Sequence, residues 1–469
     1  MFKEKLIQIN DFEWRLPKEV RPGMNVDGRI FASKEMLNHI EEEAIQQLTN
    51  VAMLPGVMES VCAMPDAHWG YGLPMGSVAA FDSKKGIISS GLCGFDINCG
   101  IMLLRTNLTL KDIKPKLSEL MDALYAKIPV GVGTKGGIEL NYDKLEQVIT
   151  KGNKWCVDNG IGCKEDLKNT EENGHMAGAD PKKVSDLAKK RGLKQLGTLG
   201  AGNHFIEIQR ANEIFDKDFA KKCGITKKDQ ICIMIHSGSR GLGHQIATDY
   251  LKIQEDSLNK YGIKVPDKQL ACSPGSSKEG KDYYSAMICA VNYSFSNRLA
   301  MAHRVREVFQ EIFKKSWKDM DIHTVYHLCH NVVKKEKYVI DGKEKELYVH
   351  RKGATRSFPN QPVIIAGSMG TSSWLLRGTK DSMTKCFGSS AHGAGRAMSR
   401  HSALKEFKGN KIKNELSKQG IESRAPNPLS LAEEAPKAYK DVDLVIESVH
   451  GANISTKVVE LKPVGVIKG

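Results

Sequence analysis

ICIMIHSGSRGLG, residues 231–243, is an apolar run closed by His236 and followed at once by serine, glycine and Arg240. A short apolar run bounded by turn residues predicts a strand buried on both faces. A histidine at the end of such a strand is held rigidly yet faces a cleft. The same grammar recurs elsewhere. His204 in GAGNHF (200–205) immediately precedes the run Phe205 to Ile208, and Asp96 and Cys99 in GFDINCG (94–100) lead into Ile101 to Leu104. Further strands are expected at Gly76 to Phe81 and Val363 to Ala366. A helical stripe carries Val305, Val308, Phe309 and Ile312. The expected class is therefore α/β, a mixed α and β fold.

The chain has 469 residues with 41% hydrophobic composition, enough for a large core. Length alone suggests two or three ordinary domains, but no Pro/Ser-rich or Gly/Ser-rich linker and no fixed repeat supports a division. One unit spanning 1–469 is expected. A net charge of +14 favours a polyanionic partner, although a solvated basic surface would give the same number. Eleven cysteines without paired spacing, no apolar leader and no membrane-length segment predict a cytoplasmic location and no membrane association.

Histidine, thiolate and carboxylate together suit borderline-soft divalent metals. Asp96 and Cys99 stand three residues apart between Gly94 and Gly100, and a thiolate can bridge two cations. His204, His236 and His330, the last in CHN (329–331), complete the set. Each taken alone is as consistent with ordinary packing. If they converge, one division is Cys99, His204 and His236 around one cation, and Asp96, Cys99 and His330 around another. Such open shells leave room for phosphate oxygens or water, and the ligand mixture suits manganese, zinc or cobalt.

His392 in SSAHGAGRAMSR (389–400) is flanked by serine and glycine, with Arg396 one turn on if a helix begins there. A neutral imidazole is a competent nucleophile toward phosphorus. GSMGTSS (367–373) is a small-residue loop able to surround phosphates, but no Walker A sequence occurs. HRKGATR (350–356) places Arg351, Lys352 and Arg356 close together. These three, with Arg240 and Arg396, are candidate phosphate contacts.

Together MPDAHWGYGLPMG, GFDINCG, QLGTLGAGNHFIE, HSGSRGLG, YVHRKGATR, GSMGTSS, HGAGR and the terminal LKPVGVIKG resemble the RtcB-type RNA ligases. The resemblance implies a single family-specific fold of central β-sheets flanked by helices. It also implies two Mn2+ ions, GTP as nucleotide, and joining of RNA 2′,3′-cyclic phosphate or 3′-phosphate ends to 5′-hydroxyl ends. It assigns metal binding to Asp96, Cys99, His204, His236 and His330, and covalent guanylylation to His392. Asn203, Phe205, Glu207, Ser368, Ser373, Tyr439 and Lys468 fall on its nucleotide pocket. Transfer RNA halves or broken RNA ends, and an archease-type activator protein, are the implied partners. The stretches 160–190 and 255–285 carry no comparable motif. Two other readings remain open from the residues themselves: a metal-dependent phosphodiesterase or phosphatase, and an RNA-binding protein without catalysis.

Overall fold

The computed structural model describes residues 1–469. Two large sheets dominate. One contains, in spatial order, the strands His323–Cys329, Gly100–Thr109, Gln230–Ser237, Phe205–Ile214, Ser455–Lys468, Ser373–Gly378 and Pro362–Ile365, with Glu422–Arg424 added in parallel to Ser455–Lys468. The other runs Ile7–Asn10, Glu13–Leu16, Asp27–Phe31, Val57–His68, Met75–Asp82, Lys343–Lys352 and Asn331–Ile340. The five expected strands are all present.

Alternation explains why 231–235 is apolar without a break. Ile231, Ile233 and Ile235 point into one hydrophobic cluster, while Cys232 and Met234 point into another. A strand covered on both faces has no position for a polar residue. The first cluster is built around the helix Lys278–Phe313, whose expected stripe of Val305, Val308, Phe309 and Ile312 is buried. Its start is capped by Ser277, which accepts from the Gly280 N–H, and its end by Lys314 in the left-handed region.

The register aligns one end of every long strand in the first sheet. Cys329 pairs with Gly100, Gly100 with Ser237, His236 with Phe205, and Phe205 with Lys468. That shared rim is where His330, Cys99, His236 and His204 stand. The second sheet reaches the same place through Val57–His68 and through the residues that follow Lys343–Lys352.

HRKGATR does not offer its arginines as the phosphate contacts expected of them. Residues 343–352 form an inner strand of the second sheet, and Arg351 is fully buried, making a two-pronged ion pair with Glu336 at 2.7 and 2.8 Å. Arg356 is held by Glu171 at 3.1 Å and Glu172 at 2.6 Å. Neither guanidinium is free to meet a polyanion. Glu336 lies on the adjacent strand 15 residues away, whereas Glu172 lies 184 residues from Arg356.

Glu171 also receives Lys334 at 3.1 Å. Burial alone would raise its carboxyl, but Lys334 and Arg356 overcome that and hold it at about 2, below its ordinary 4.5. A carboxylate depressed in the folded state stabilises above its unfolded value and ceases to do so as pH falls through the folded one. Acid titration of the wild-type protein should therefore show a stability loss between about pH 4.5 and pH 2. Glu171→Gln should be less stable at pH 7 and lose less on acidification, measured by chemical denaturation at each pH.

Candidate metal and nucleotide site

Cys99 lies at the focus of the strand ends. Its Sγ is 3.4 Å from His204 Nε2 and 3.2 Å from His236 Nε2, while His236 Nε2 is 3.3 Å from His330 Nε2. His204 Nε2 also stands 3.0 Å from Asp96 Oδ2. The donor atoms form two compact sets, Cys99 with His236 and His330, and Asp96 with Cys99 and His204. This corrects the expected division, which had exchanged His204 and His330. Side-chain reach supplies the reason: His236 Nε2 lies 3.3 Å from His330 Nε2, whereas His204 Nε2 turns to Asp96 Oδ2 at 3.0 Å, although the strand that follows His204 and the strand of His236 are direct neighbours in the sheet.

Whether these residues suit cations is answered by the cost of placing them here. The Nδ1 atoms of His204, His236 and His330 are buried without a hydrogen-bond partner. Burying polar groups without partners costs free energy, so compensation must come from the Nε2 side, where lone pairs converge. Burial pushes His236 and His330 well below the usual imidazole range, keeping them neutral and able to donate lone pairs. Burial, followed by the Asp96 charge, pushes the Cys99 thiol well up. A thiol in that setting gives up its proton when a cation binds. Ligands at about 2.0–2.3 Å from a tetrahedral ion are separated by roughly 3.3–3.7 Å, close to the spacings found. The donor set fits a divalent pair.

The turns that aim these groups are unusually constrained. Asn98, between Asp96 and Cys99, has φ 54°, and Arg240 has φ 56°. At Gly238 a Cβ would lie 2.1 Å from the Asp96 carboxylate, so only glycine leaves room for it. Beneath the turns, two consecutive residues of the long helix act as a staple. Asn297 receives the N–H groups of Gly197 and Thr198 and donates to the carbonyls of Thr198 and Gly238. Arg298, fully buried, donates to the Asn98 and Ser237 carbonyls, to the Asn98 side chain, to the Ser294 hydroxyl and to His327. No carboxylate pairs with it, and burial lowers it to about 10.

His392 stands beside the donor sets, its ring 4.8 Å from that of His330. It follows the short strand Ser389–Ala391 and not a helix start; the helix expected there begins at Arg400, capped by Ser399. Asp66, from the second sheet, is fully buried. Its Oδ2 lies 2.7 Å from His392 Nδ1 and accepts from the N–H groups of His392 and Gly393. A carboxylate at Nδ1 favours the tautomer whose Nε2 carries the lone pair. That placement leaves Nε2 as the ring nitrogen of His392 available for chemistry.

A cavity of about 340 Å³ adjoins these groups, lined by Asn203, Phe205, Ser368, His392, Arg396, Tyr439 and Lys468. Glu434 anchors its far wall. This buried carboxylate is contacted by Arg396 at 3.2 Å, Arg400 at 3.1 Å, Lys468 at 3.5 Å and the Tyr439 hydroxyl. Glu207 and Ser373, expected in the pocket, do not line it. Both are buried and bound to the Gln209 side-chain amide, Glu207 at 2.7 Å and Ser373 at 3.1 Å, and burial raises the Glu207 carboxyl to about 8. Their strand positions point them into the layer under the cavity.

Lys352 lines the cavity, yet its ammonium donates to the carbonyls of Tyr71 and Gly91, and burial lowers it to about 7. Arg240 lines a neighbouring depression of about 970 Å³ with Lys135, Lys190, Arg191 and Lys194. Asp66, Arg298, Arg400 and Glu434 were missed by the sequence reading. Asp66 was visible within MPDAHWG, whereas Glu434 in LAEEAPKAYK carries no local signal. The segment 160–190 supplies Asp166 and Glu171, which brace Arg306 and Arg356 from below.

Comparison with known proteins agrees across almost the whole chain. The family model described as tRNA-splicing ligase RtcB matches residues 47–469. A tRNA-splicing ligase RtcB of Methanococcus maripaludis is 46% identical over 480 residues, covering 100% of both chains. Those of Thermococcus kodakarensis and Archaeoglobus fulgidus are each 46% identical over 99% of both chains.

Proposed function

Since this chain belongs to the tRNA-splicing ligase RtcB family, we propose that it is a GTP- and Mn2+-dependent RNA ligase. It joins 2′,3′-cyclic phosphate or 3′-phosphate ends to 5′-hydroxyl ends through a histidine–GMP intermediate. The observation that carries this reading is the position of His392. A nucleophile with its Nδ1 held by Asp66 faces a cavity of nucleotide size beside two sets of metal-type donors.

Asp96, Cys99 and His204 would hold one Mn2+, and Cys99, His236 and His330 the other; when bound, the ions would neutralise charge on phosphate oxygens. Asn203, Phe205, Ser368, Tyr439 and Lys468 would hold the nucleotide, with Glu207 and Ser373 participating only if the wall above them opens. His392 Nε2 attacks the α-phosphorus, a P–N bond forms and pyrophosphate leaves. Asp66 stabilises the positive charge that develops on the imidazole. GMP then passes to an oxygen of the RNA 3′-phosphate, a cyclic end having first been hydrolysed to that form. Attack by the 5′-hydroxyl on the activated phosphorus expels GMP and closes the phosphodiester. Arg240 with its lysine neighbours would meet RNA phosphates, as would Arg396 on release from Glu434.

Transfer RNA halves or broken RNA ends are the proposed substrates, an archease-type protein the proposed activator, and the cytoplasm the proposed location. No helix is long and apolar enough to cross a membrane. The test is incubation of the purified protein with α-labelled GTP and MnCl2. About one acid-labile, alkali-stable label per chain is expected, and chasing it with 3′-phosphate RNA should release it. Absence of label under conditions where the protein opens cyclic phosphates would favour a metal-dependent phosphodiesterase instead.

A further inference from the structure

We propose that Trp69 is a stacking platform for an unpaired base of the RNA strand lying in the cleft. The inference rests on the RNA-ligase reading and adds a binding residue to it. Trp69 is 63% exposed, whereas Trp14, Trp155 and Trp374 are buried at 8%, 5% and 5% and Trp317 is half-buried. Its chain neighbours His68, Gly70 and Tyr71 line the cavity that contains His392. Trp69 does not itself line that cavity, but the segment that carries it does.

The loop that carries it is held from many directions. Lys440 donates to the Ala67 carbonyl, and Glu41 accepts from the Trp69 N–H at 2.6 Å. Gln47 accepts from the Gly70 N–H at 3.1 Å and donates to the Gly70 carbonyl at 2.5 Å. Lys352 donates to the Tyr71 carbonyl, and Gln269 accepts from the Gly72 N–H at 2.8 Å. A surface loop ordinarily leaves such groups to water. Here side chains from separate parts of the chain fix the backbone on both sides of an aromatic residue that stays largely exposed.

A pre-ordered aromatic loses little freedom on binding. Every nucleobase offers a flat face to it, so stacking is strong and tolerant of sequence. An exposed indole on a fixed loop offers a flat apolar face to a base without first having to be ordered.

The test measures ligation of single-stranded RNA ends by Trp69→Ala and Trp69→Phe. Trp69→Ala should raise KM for RNA about tenfold while kcat and the rate of self-guanylylation stay within twofold of wild type. Trp69→Phe should recover most of the loss. RNA binding should quench the tryptophan fluorescence of the wild type, and Trp69→Phe should abolish that quenching. An abasic scan of the RNA should find one nucleotide whose removal costs the wild type about as much as Trp69→Ala does, and costs Trp69→Ala nothing more.

The proposal is overturned if Trp69→Ala keeps its KM within twofold, if no abasic position couples to Trp69, or if Trp69→Ala slows self-guanylylation as much as ligation. That last result would make the ring a brace for the loop. Failure of the wild type to take label or join RNA would sink the ligase reading instead, and the two failures are separable in one set of assays.

Discussion

His392→Ala is expected to take no label from GTP and to join RNA roughly 10⁵–10⁶-fold more slowly than wild type, the scale seen when a covalent nucleophile is removed. His330 and His236 have their Nε2 atoms committed to the Cys99 focus, and the Lys352 ammonium is bound to the carbonyls of Tyr71 and Gly91. His68, whose Nδ1 turns to the Asp66 carbonyl, is the control: His68→Ala should still take label. The His392 side chain contributes only part of one cavity wall, so its alanine variant should fold and keep its metal content. A variant that ligates in GTP at more than a hundredth of the wild-type rate would refute the covalent route.

Cys99→Ala is expected to be the more general lesion. Its sulfur belongs to both donor sets, so one substitution removes a ligand from each ion. Metal content measured after dialysis should fall from about two ions per chain to below one, and both guanylylation and cyclic-phosphate opening should drop more than 10³-fold. His204→Ala should differ, because His204 belongs to the Asp96 set alone; it should retain about one ion. If Cys99→Ala held two ions, the shared-sulfur arrangement would be wrong. Because the buried thiol must lose a proton on binding, wild-type metal affinity should rise with pH.

Much of this centre was readable in the residues because strand ends announce themselves. ICIMIH and GAGNHF each join an apolar run to a histidine, and the run fixes both the burial and the end at which the side chain emerges. What the sequence concealed was pairing between distant segments. Arg351 and Arg356 looked like solvated cations because Glu336 and Glu171 lie elsewhere in the chain. Asp66 and Glu434 are carboxylates like any others until the fold sets one against His392 and the other among three cations. The division of the donors between the two sets was misassigned for the same cause. Side-chain reach across the strand ends decides it, and that leaves no trace in local periodicity.

Asn297 and Arg298 give the centre a property of its own. Their grip on the backbone at Asn98, Thr198, Ser237 and Gly238 bypasses the metal-type donor atoms. The receptacle is therefore expected to form before anything fills it. Stripping the ions with a chelator should leave an empty socket and not a loosened chain, and reloading should proceed at the pace of diffusion and proton release, with no refolding step. Such a protein can survive metal starvation intact and return to work as soon as supply resumes.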